Sequence, residues 1–326
     1  MSLQPRPRWR LQDLLLAPRS LIAYRRALNI FLVHSRLSFH QLLITPPLTV
    51  DHLLSAYIQH TYDHDGSYSN AAQALAALVH YRQDVKLLLF SSRQCIKGWA
   101  RVKKSVSHPP FTWELAVLLA CTFARSGYLG PAVSMLVGFD CYLRVSELTR
   151  MRRRDVIMPH DPRMGAAQTQ MALCLPIAKT GLDQSVVLRN PVVADVLRLW
   201  VSHLRLVDRP DSTDRIFDFP DSQLRNLIRN ACASLGLGDT PYVPHSLRHG
   251  GATADFLRTG DINYVQNRGR WKSMESARRY IQSTRALLAK HQVPAALNQL
   301  GAELSVSLLD VMLAAFRSQR RVAFRE

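Results

Sequence analysis

The stretch PHSLRHGGATADFLRTG, residues 244–260, carries the reading of the whole chain. Pro244 is suited to the first turn of a helix, and Gly260 is suited to its C-terminal cap. Between them His245 and Arg248 sit three residues apart, so a helix presents both on one face. An arginine offers a planar fork to two phosphate oxygens, and a histidine titrates near neutrality and can carry a proton to or from a bridging oxygen. The pair alone is a weak signal, because His/Arg neighbours arise by chance in a basic protein.

Working outward, FDCYLRVSELTRM, residues 139–151, places Arg144 among Leu143, Val145 and Leu148 just before a helix start, with Ser146 as a candidate cap. An arginine in apolar surroundings is costly unless paired. Glu147 is the ready partner, either as a structural pair or as the carboxylate that holds Arg144 for a phosphate. On the other side of the 244–260 stretch, ESARRYIQ, residues 275–282, contains Tyr280 nine residues after Trp271. Arg144, His245, Arg248, Trp271 and Tyr280 thus combine cations, an indole donor and a phenol, and with Lys179 they form a candidate phosphate-binding group with a nucleophile.

Composition points the same way. The 326 residues hold 42 Lys and Arg against 24 Asp and Glu, for a net charge of +18. That excess is the footprint of a polyanionic partner, and it is shared between residues 1–108 and 109–326. At 47% hydrophobic content the chain can bury two cores. No apolar run is long enough for a membrane span, and the basic start at Met1–Arg10 lacks the apolar stretch of a signal peptide, so an intracellular protein is expected. Cys95, Cys121, Cys141, Cys174 and Cys232 are odd in number without a C-x-x-C, and the 12 histidines lack a metal spacing, so neither disulfides nor a metal site is signalled. Asp208, Asp211, Asp214, Asp218 and Asp221 lie in a Pro-containing stretch that reads as a loop.

The pattern predicts a mainly α protein with a small antiparallel sheet. Helical spacing runs through Leu14–Leu37, Leu53–Thr61, Ala71–Tyr81 and Val85–Phe90, with Ser20, Thr49, Asp51 and Ser69 as start signals. Ser105–Pro110 reads as a linker, which divides a domain at 1–107 from one at 108–292. In the second, Trp113–Ala124, Pro131–Asp140 and Ser146–Met151 read as helices, and so do 191–206, 221–235, 246–258 and 261–268. Met171–Ile177 and Ser185–Leu188 read as strands flanking a turn at Lys179, Thr180 and Gly181. In the tail, 293–326, Leu304, Val306, Leu308, Leu309, Met312, Leu313 and Phe316 form an apolar face, suited either to packing on its own chain or to docking on a neighbouring protomer.

These residues, in this order, resemble the tyrosine recombinases of the phage-integrase type. The resemblance rests on Arg144 with Ser146, Glu147 and Leu148, then His245, Leu247 and Arg248, then Gly269, Arg270, Trp271 and Tyr280, and it covers about residues 11–292. It implies an N-terminal helical core-binding domain of the SAM-like kind and a C-terminal catalytic domain, clamped around double-stranded DNA. It further implies a homotetramer on DNA with a dimer at each site, and an enzyme of mobile-element integration or excision that needs neither metal nor cofactor. Arg144 and Arg248 would clamp the scissile phosphate, His245 and Trp271 would support it, Tyr280 would attack it, and Lys179 would protonate the leaving 5′-oxygen. Two departures stand out: Trp271 occupies a place where the family more often has His, and Tyr142 one where Gly is frequent.

Candidate DNA contacts are Arg25, Arg26, Arg36, Arg93, Lys97, Arg101, Lys103 and Lys104 in the first domain and Arg152, Arg153, Arg154 and Arg270 in the second. The run Arg150, Arg152, Arg153 and Arg154 resembles a nuclear-import patch, but it adjoins Arg144 and reads better as facing DNA, so the expected location is with DNA, in a nucleus or a nucleoid. A type IB topoisomerase and a catalytically silent DNA-binding protein are the competing readings.

Overall fold

The computed structural model describes residues 16–102, 108–161, 163, 169–178, 181–284 and 293–323. The chain divides into two compact units, Met1–Val106 and Ser107–Glu326. The first is helical: α1 (Pro18–Ser35), α2 (Phe39–Ile44), α3 (Pro47–Asp63), α4 (Tyr68–Tyr81) and α5 (Phe90–Val102). Its core is built on Phe31, Leu42, Leu54, Ile58, Leu78 and Leu89. The guanidinium of Arg82 is buried here, donating to the carbonyls of Leu42 and Thr45 and pairing with Asp84.

The helix starts differ from those expected. Pro18 and Pro47 open α1 and α3, behind Ala17 and Pro46, and Ser67 rather than Ser69 caps α4. Proline at the first helical position supplies the right φ and has no N–H to leave unpaired. The expected helix over Val85–Phe90 is instead a short 3₁₀ turn at Gln83–Val85, with α5 beginning at Phe90. Its cap comes from forty residues away: the buried carboxylate of Asp51, on α3, accepts from the amides of Ser91 and Ser92 at 2.8 and 2.9 Å. A local pattern does not reveal such a cap.

The second unit contains α6 (Trp113–Arg125), α7 (Leu129–Asp140), α8 (Val145–Leu148), a 3₁₀ turn at Arg153–Asp155, β1 (Val156–Ile157), β2 (Ala172–Ala178), β3 (Gly181–Val187), α9 (Pro191–His203), α10 (Asp221–Ser234), α11 (Pro244–Thr259), α12 (Ile262–Gly269), α13 (Met274–Arg278), α14 (Ala295–Val306) and α15 (Leu308–Ala323). The mainly α expectation with a small antiparallel sheet holds. The sheet runs β1-β2-β3 with Leu173 opposite Val186 and Cys174 opposite Ser185, and its first strand, only two residues long, is too short to carry an alternating sequence pattern.

Helices α6 and α7 are apolar almost all round and form the interior of this unit, as such helices must. Helix α11 lies against α7 at backbone distance. A Cβ on Gly250 would stand 2.4 Å from the Phe111 carbonyl oxygen, and one on Gly251 would stand 2.0 Å from that of Phe139. The two glycines therefore fix how closely the His245/Arg248 helix approaches the core.

The C-terminal helices pack on their own chain. Gly301 lets α14 approach α6, where a Cβ would come within 2.4 Å of the Glu114 carbonyl. Leu308, Met312 and Phe316 of α15 are buried, and the Phe316 ring lies 6.0 Å from that of Trp200 on α9. Val306, expected on the buried face, is instead 92% exposed, because the two helices bend by 76° at this point. Among the described residues no single helix is long and apolar enough to cross a membrane.

The remote cap is open to test. Asp51→Ala is expected to cost about 1–2 kcal/mol, the usual range for losing a helix cap. Amide exchange across Ser91–Lys97 should accelerate accordingly, while exchange in the second unit stays unchanged.

Candidate active site

Four distant segments of the second unit build the site, and the carboxylate of Glu147 is its hub. Helix α8 starts behind Arg144, not at Ser146, because Glu147 Oε2 accepts from the Arg144 amide at 2.9 Å and so closes the first turn from within. The other oxygen, Oε1, pairs with the Arg144 guanidinium at 2.5 Å. Oε2 also lies 3.4 Å from Nη2 of Arg270, which arrives from the far end of α12. Glu147 is thus the structural partner of Arg144, and the same carboxylate reaches Arg270.

His245 and Arg248 come from the first turns of α11. Arg248 is fully buried, donating to the Tyr142 carbonyl and, at 2.7 Å, to that of Gly269. Those two carbonyls belong to turns whose residues Tyr142 and Arg270 both hold left-handed φ values, 50° and 57°. Each costs an ordinary residue about 1–2 kcal/mol. Tyr142 thus occupies the conformation glycine favours, and it is kept there by burial of its ring and by donation of its hydroxyl to Asp255.

Trp271 and Tyr280 close the site from the C-terminal side. The Tyr280 ring is 4.6 Å from Trp271, 4.8 Å from His249 and 5.4 Å from His245, with the Arg248 guanidinium 5.2 Å away. Its backbone is clipped to α11: the Tyr280 carbonyl accepts from Thr253 at 3.2 Å and lies 3.3 Å from His249 Nδ1, and Thr253 Oγ1 accepts from the Gln282 amide at 3.0 Å. His249 and Thr253 were not singled out in the sequence. They follow His245 at four-residue steps, and that helical repeat is the signal that finds them. Trp271 keeps its indole N–H buried without a hydrogen-bond partner, as do Nε of Arg248 and of Arg270.

The electrostatics of this arrangement are those of an anion site. Arg144 and Arg270 share the Glu147 carboxylate, and Arg248, held by two carbonyls, feels the charge of both. Burial and then the charges of Arg144 and Arg270 pull Arg248 below the usual guanidinium range, and burial does the same to Arg270. Burial, His249, Arg248, His108 and Arg144 push the His245 imidazole down to about 4, so it is neutral at pH 7. An entering anion relieves the mutual repulsion and meets preorganised donors.

The remaining candidates divide. Lys179 lies outside the described residues, as do Lys103 and Lys104. Arg93, Lys97 and Arg101 form one exposed stripe along α5 at four-residue spacing, and Arg25, Arg26, Arg36 and Arg154 are exposed, with Arg152 half-buried. Arg153, expected as a DNA contact, is instead 2% exposed, with its guanidinium turned inward onto the carbonyls of Leu206, Val156 and Val207, so burial keeps it from the surface. Arg270 is likewise turned inward, its side chain 5% exposed beside Glu147, so it belongs to the site rather than to an outer contact surface. Of the aspartates expected in a loop at 208–221, Asp214 pairs with Arg209 at 3.1 Å, while Asp221 opens α10 and accepts from Thr149 at 2.8 Å.

No protein-family model matches the chain, and none of the curated proteins matches it. Among solved structures it is similar to a dimer of lambda integrase residues 75–356 bound to a COC′ core site, with a TM-score of 0.57 at 14% identity over 84% of this chain and 93% of that one. It is similar to the Tn1549 transposon integrase (residues 82–397) in complex with circular intermediate DNA, with a TM-score of 0.54 at 12% identity over 84% and 94%. It is also similar to the XerH site-specific recombinase in a post-cleavage complex with palindromic difH substrate, with a TM-score of 0.52 at 14% identity over 89% and 78%. The chain therefore has the tyrosine recombinase fold.

Two outcomes are expected of this geometry. An unfolded histidine titrates near pH 6.5, whereas folded His245 does so at about 4, so the unfolded chain takes up the proton first as the pH falls. The His245 contribution to stability is complete above pH 6.5 and is lost between 6.5 and 4, and His245→Gln should flatten that part of the melting temperature against pH. Replacing Glu147 by Gln leaves buried guanidinium groups uncompensated and should cost about 3 kcal/mol or more. Added inorganic phosphate should then raise the melting temperature of the variant by more than it raises that of the unaltered protein.

Proposed function

We propose that this chain is a site-specific DNA recombinase or integrase that cuts and rejoins double-stranded DNA through a 3′-phosphotyrosyl intermediate. The observation that carries the reading is the pairing of Arg144 and Arg270 with the carboxylate of Glu147 while Arg248, held by two backbone carbonyls, lies 5.2 Å from the Tyr280 ring. A DNA phosphate supplies the missing negative charge. The solved structures it resembles are named as bound to core-site DNA, a difH substrate or a circular intermediate, which supports DNA as the partner.

In this reading the Tyr280 oxygen attacks the phosphorus while Arg144 and Arg248 take up the charge that grows on the nonbridging oxygens. Arg248 offers its unpartnered Nε, and Trp271 offers the indole N–H, which donates but relays no proton. His245 is a weak base in the empty site; the entering phosphate offsets its positive neighbours, and it can then accept the phenol proton. The P–O5′ bond breaks as the P–O bond to Tyr280 forms. The 5′-oxygen leaves as a hydroxyl with a proton from Lys179, a role assigned to that residue by resemblance. Attack of a 5′-hydroxyl on the phosphotyrosine reverses the sequence without ATP, and when that hydroxyl belongs to a partner duplex the strands are exchanged. Integration or excision of a mobile element by four protomers, at the location of the DNA, is the setting this chemistry suits.

A duplex nicked so that the 5′-hydroxyl fragment diffuses away traps the intermediate. The unaltered chain should form a covalent adduct on it, and Tyr280→Phe should bind the same DNA and form none; an adduct on the variant sinks the assignment. Arg248→Ala should slow adduct formation by about 10²–10³-fold, as expected for removing a charge-stabilising donor. Lys179→Ala should slow cleavage of ordinary DNA and leave cleavage unchanged when the leaving oxygen is sulfur, since a thiolate departs without a proton.

A further inference from the structure

The ring of Tyr142 lies under the site. It is 1% exposed, 6.2 Å from the Trp271 ring and inclined to it by 24°. Trp271 in turn lies 4.6 Å from the Tyr280 ring and 4.6 Å from the Arg248 guanidinium. The three aromatic rings form a column that ends on the proposed nucleophile, and Arg248 flanks its upper half.

The column exists because two neighbours lack side chains. A Cβ on Gly269 would fall 1.7 Å from the Trp271 ring, and one on Gly251 would fall 2.6 Å from the ring of Tyr142. It is anchored below by Asp255, which accepts from the Tyr142 hydroxyl and is held by Arg258 at 2.8 Å and Arg268 at 3.3 Å. Arg268 is itself buried beneath the Tyr142 ring, 5.4 Å from its centre, and donates to the carbonyls of Val187 and Asp140. The same Tyr142 holds a left-handed φ of 50° that turns its carbonyl onto Arg248. One residue therefore touches both halves of the site: its ring backs Trp271, and its carbonyl orients the guanidinium.

We infer that Tyr142 is a positioning residue, whose aromatic face supports Trp271 against Tyr280 and whose strained turn aims Arg248 at the phosphate. The inference rests on the reading of Tyr280 as the nucleophile. A residue that acts by placement governs the rate of the chemical step and leaves DNA affinity untouched. The ring carries this effect, and the hydroxyl only tethers it.

The test is the single-turnover rate of adduct formation on saturating nicked duplex, measured beside DNA affinity by fluorescence anisotropy, with the full-length protein. Tyr142→Gly should slow the step about 100-fold, the cost of a misplaced reacting group, with affinity unchanged. Tyr142→Phe keeps the ring and should stay close to the unaltered rate. Tyr142→Asn, which tolerates a left-handed φ, carries the same comparison if the glycine variant does not fold. The inference is overturned if the glycine variant reacts at the unaltered rate, if Phe is as slow as Gly, or if rate and affinity fall together. If the unaltered protein forms no adduct, the functional reading fails by itself and the column is read by fluorine NMR on protein labelled with 3-fluorotyrosine. The Tyr280 resonance, assigned through Tyr280→Phe, should then move in Tyr142→Gly and not in Tyr142→Phe; no movement in Tyr142→Gly overturns the column as well.

Discussion

The candidate site depends on the burial of guanidinium groups, two of them beside one carboxylate. Left in an apolar interior, Arg144, Arg248 and Arg270 would each be costly. Glu147 carries two of them, and the carbonyls of Tyr142 and Gly269 occupy the third. These bonds need α8 to begin at Arg144, two turns to adopt left-handed φ values, and α11 to lie at backbone distance from α7. The result is a site under positive strain, made of fixed donors, in which an anion lowers the free energy of what is already built.

The same charge sets the behaviour of the titratable groups. His245 is held neutral by burial and by positive neighbours, so its protonation state responds to what enters the site. Further out, Asp140 and Asp255 receive the guanidinium of Arg268, which ties α7, β3, α11 and α12 together below the aromatic column. That buried network supports the position of the rings and takes no part in the phosphate chemistry proposed above them.

Much of this was legible from residue order. The helix carrying His245 and Arg248, the Glu147 partner of Arg144, the Gly260 cap and the hairpin strands all follow from spacing of three, four or two residues, because each depends on near neighbours. The departures arose where a partner lies far away in the chain. The cap of α5 is Asp51, two of the three carbonyls that hold the Arg153 guanidinium lie more than fifty residues on, and the backbone of Tyr280 is clipped by His249 and Thr253. Val306 left its apolar stripe because a bend between two helices, set by packing on α6 and α9, turned it outward.

By itself the sequence determined the charge that calls for a polyanion, the helical character, and the three-residue spacing that sets His245 and Arg248 on one helix face. Those are properties of composition and local period. Only the tertiary structure decided which arginines face the site and which are consumed as scaffold, that His245 is neutral, and that Tyr142 can stand in a glycine's conformation. The reason is physical: burial, pKa and backbone strain depend on what surrounds a residue in space, and here those surroundings come from segments 129 residues apart and more.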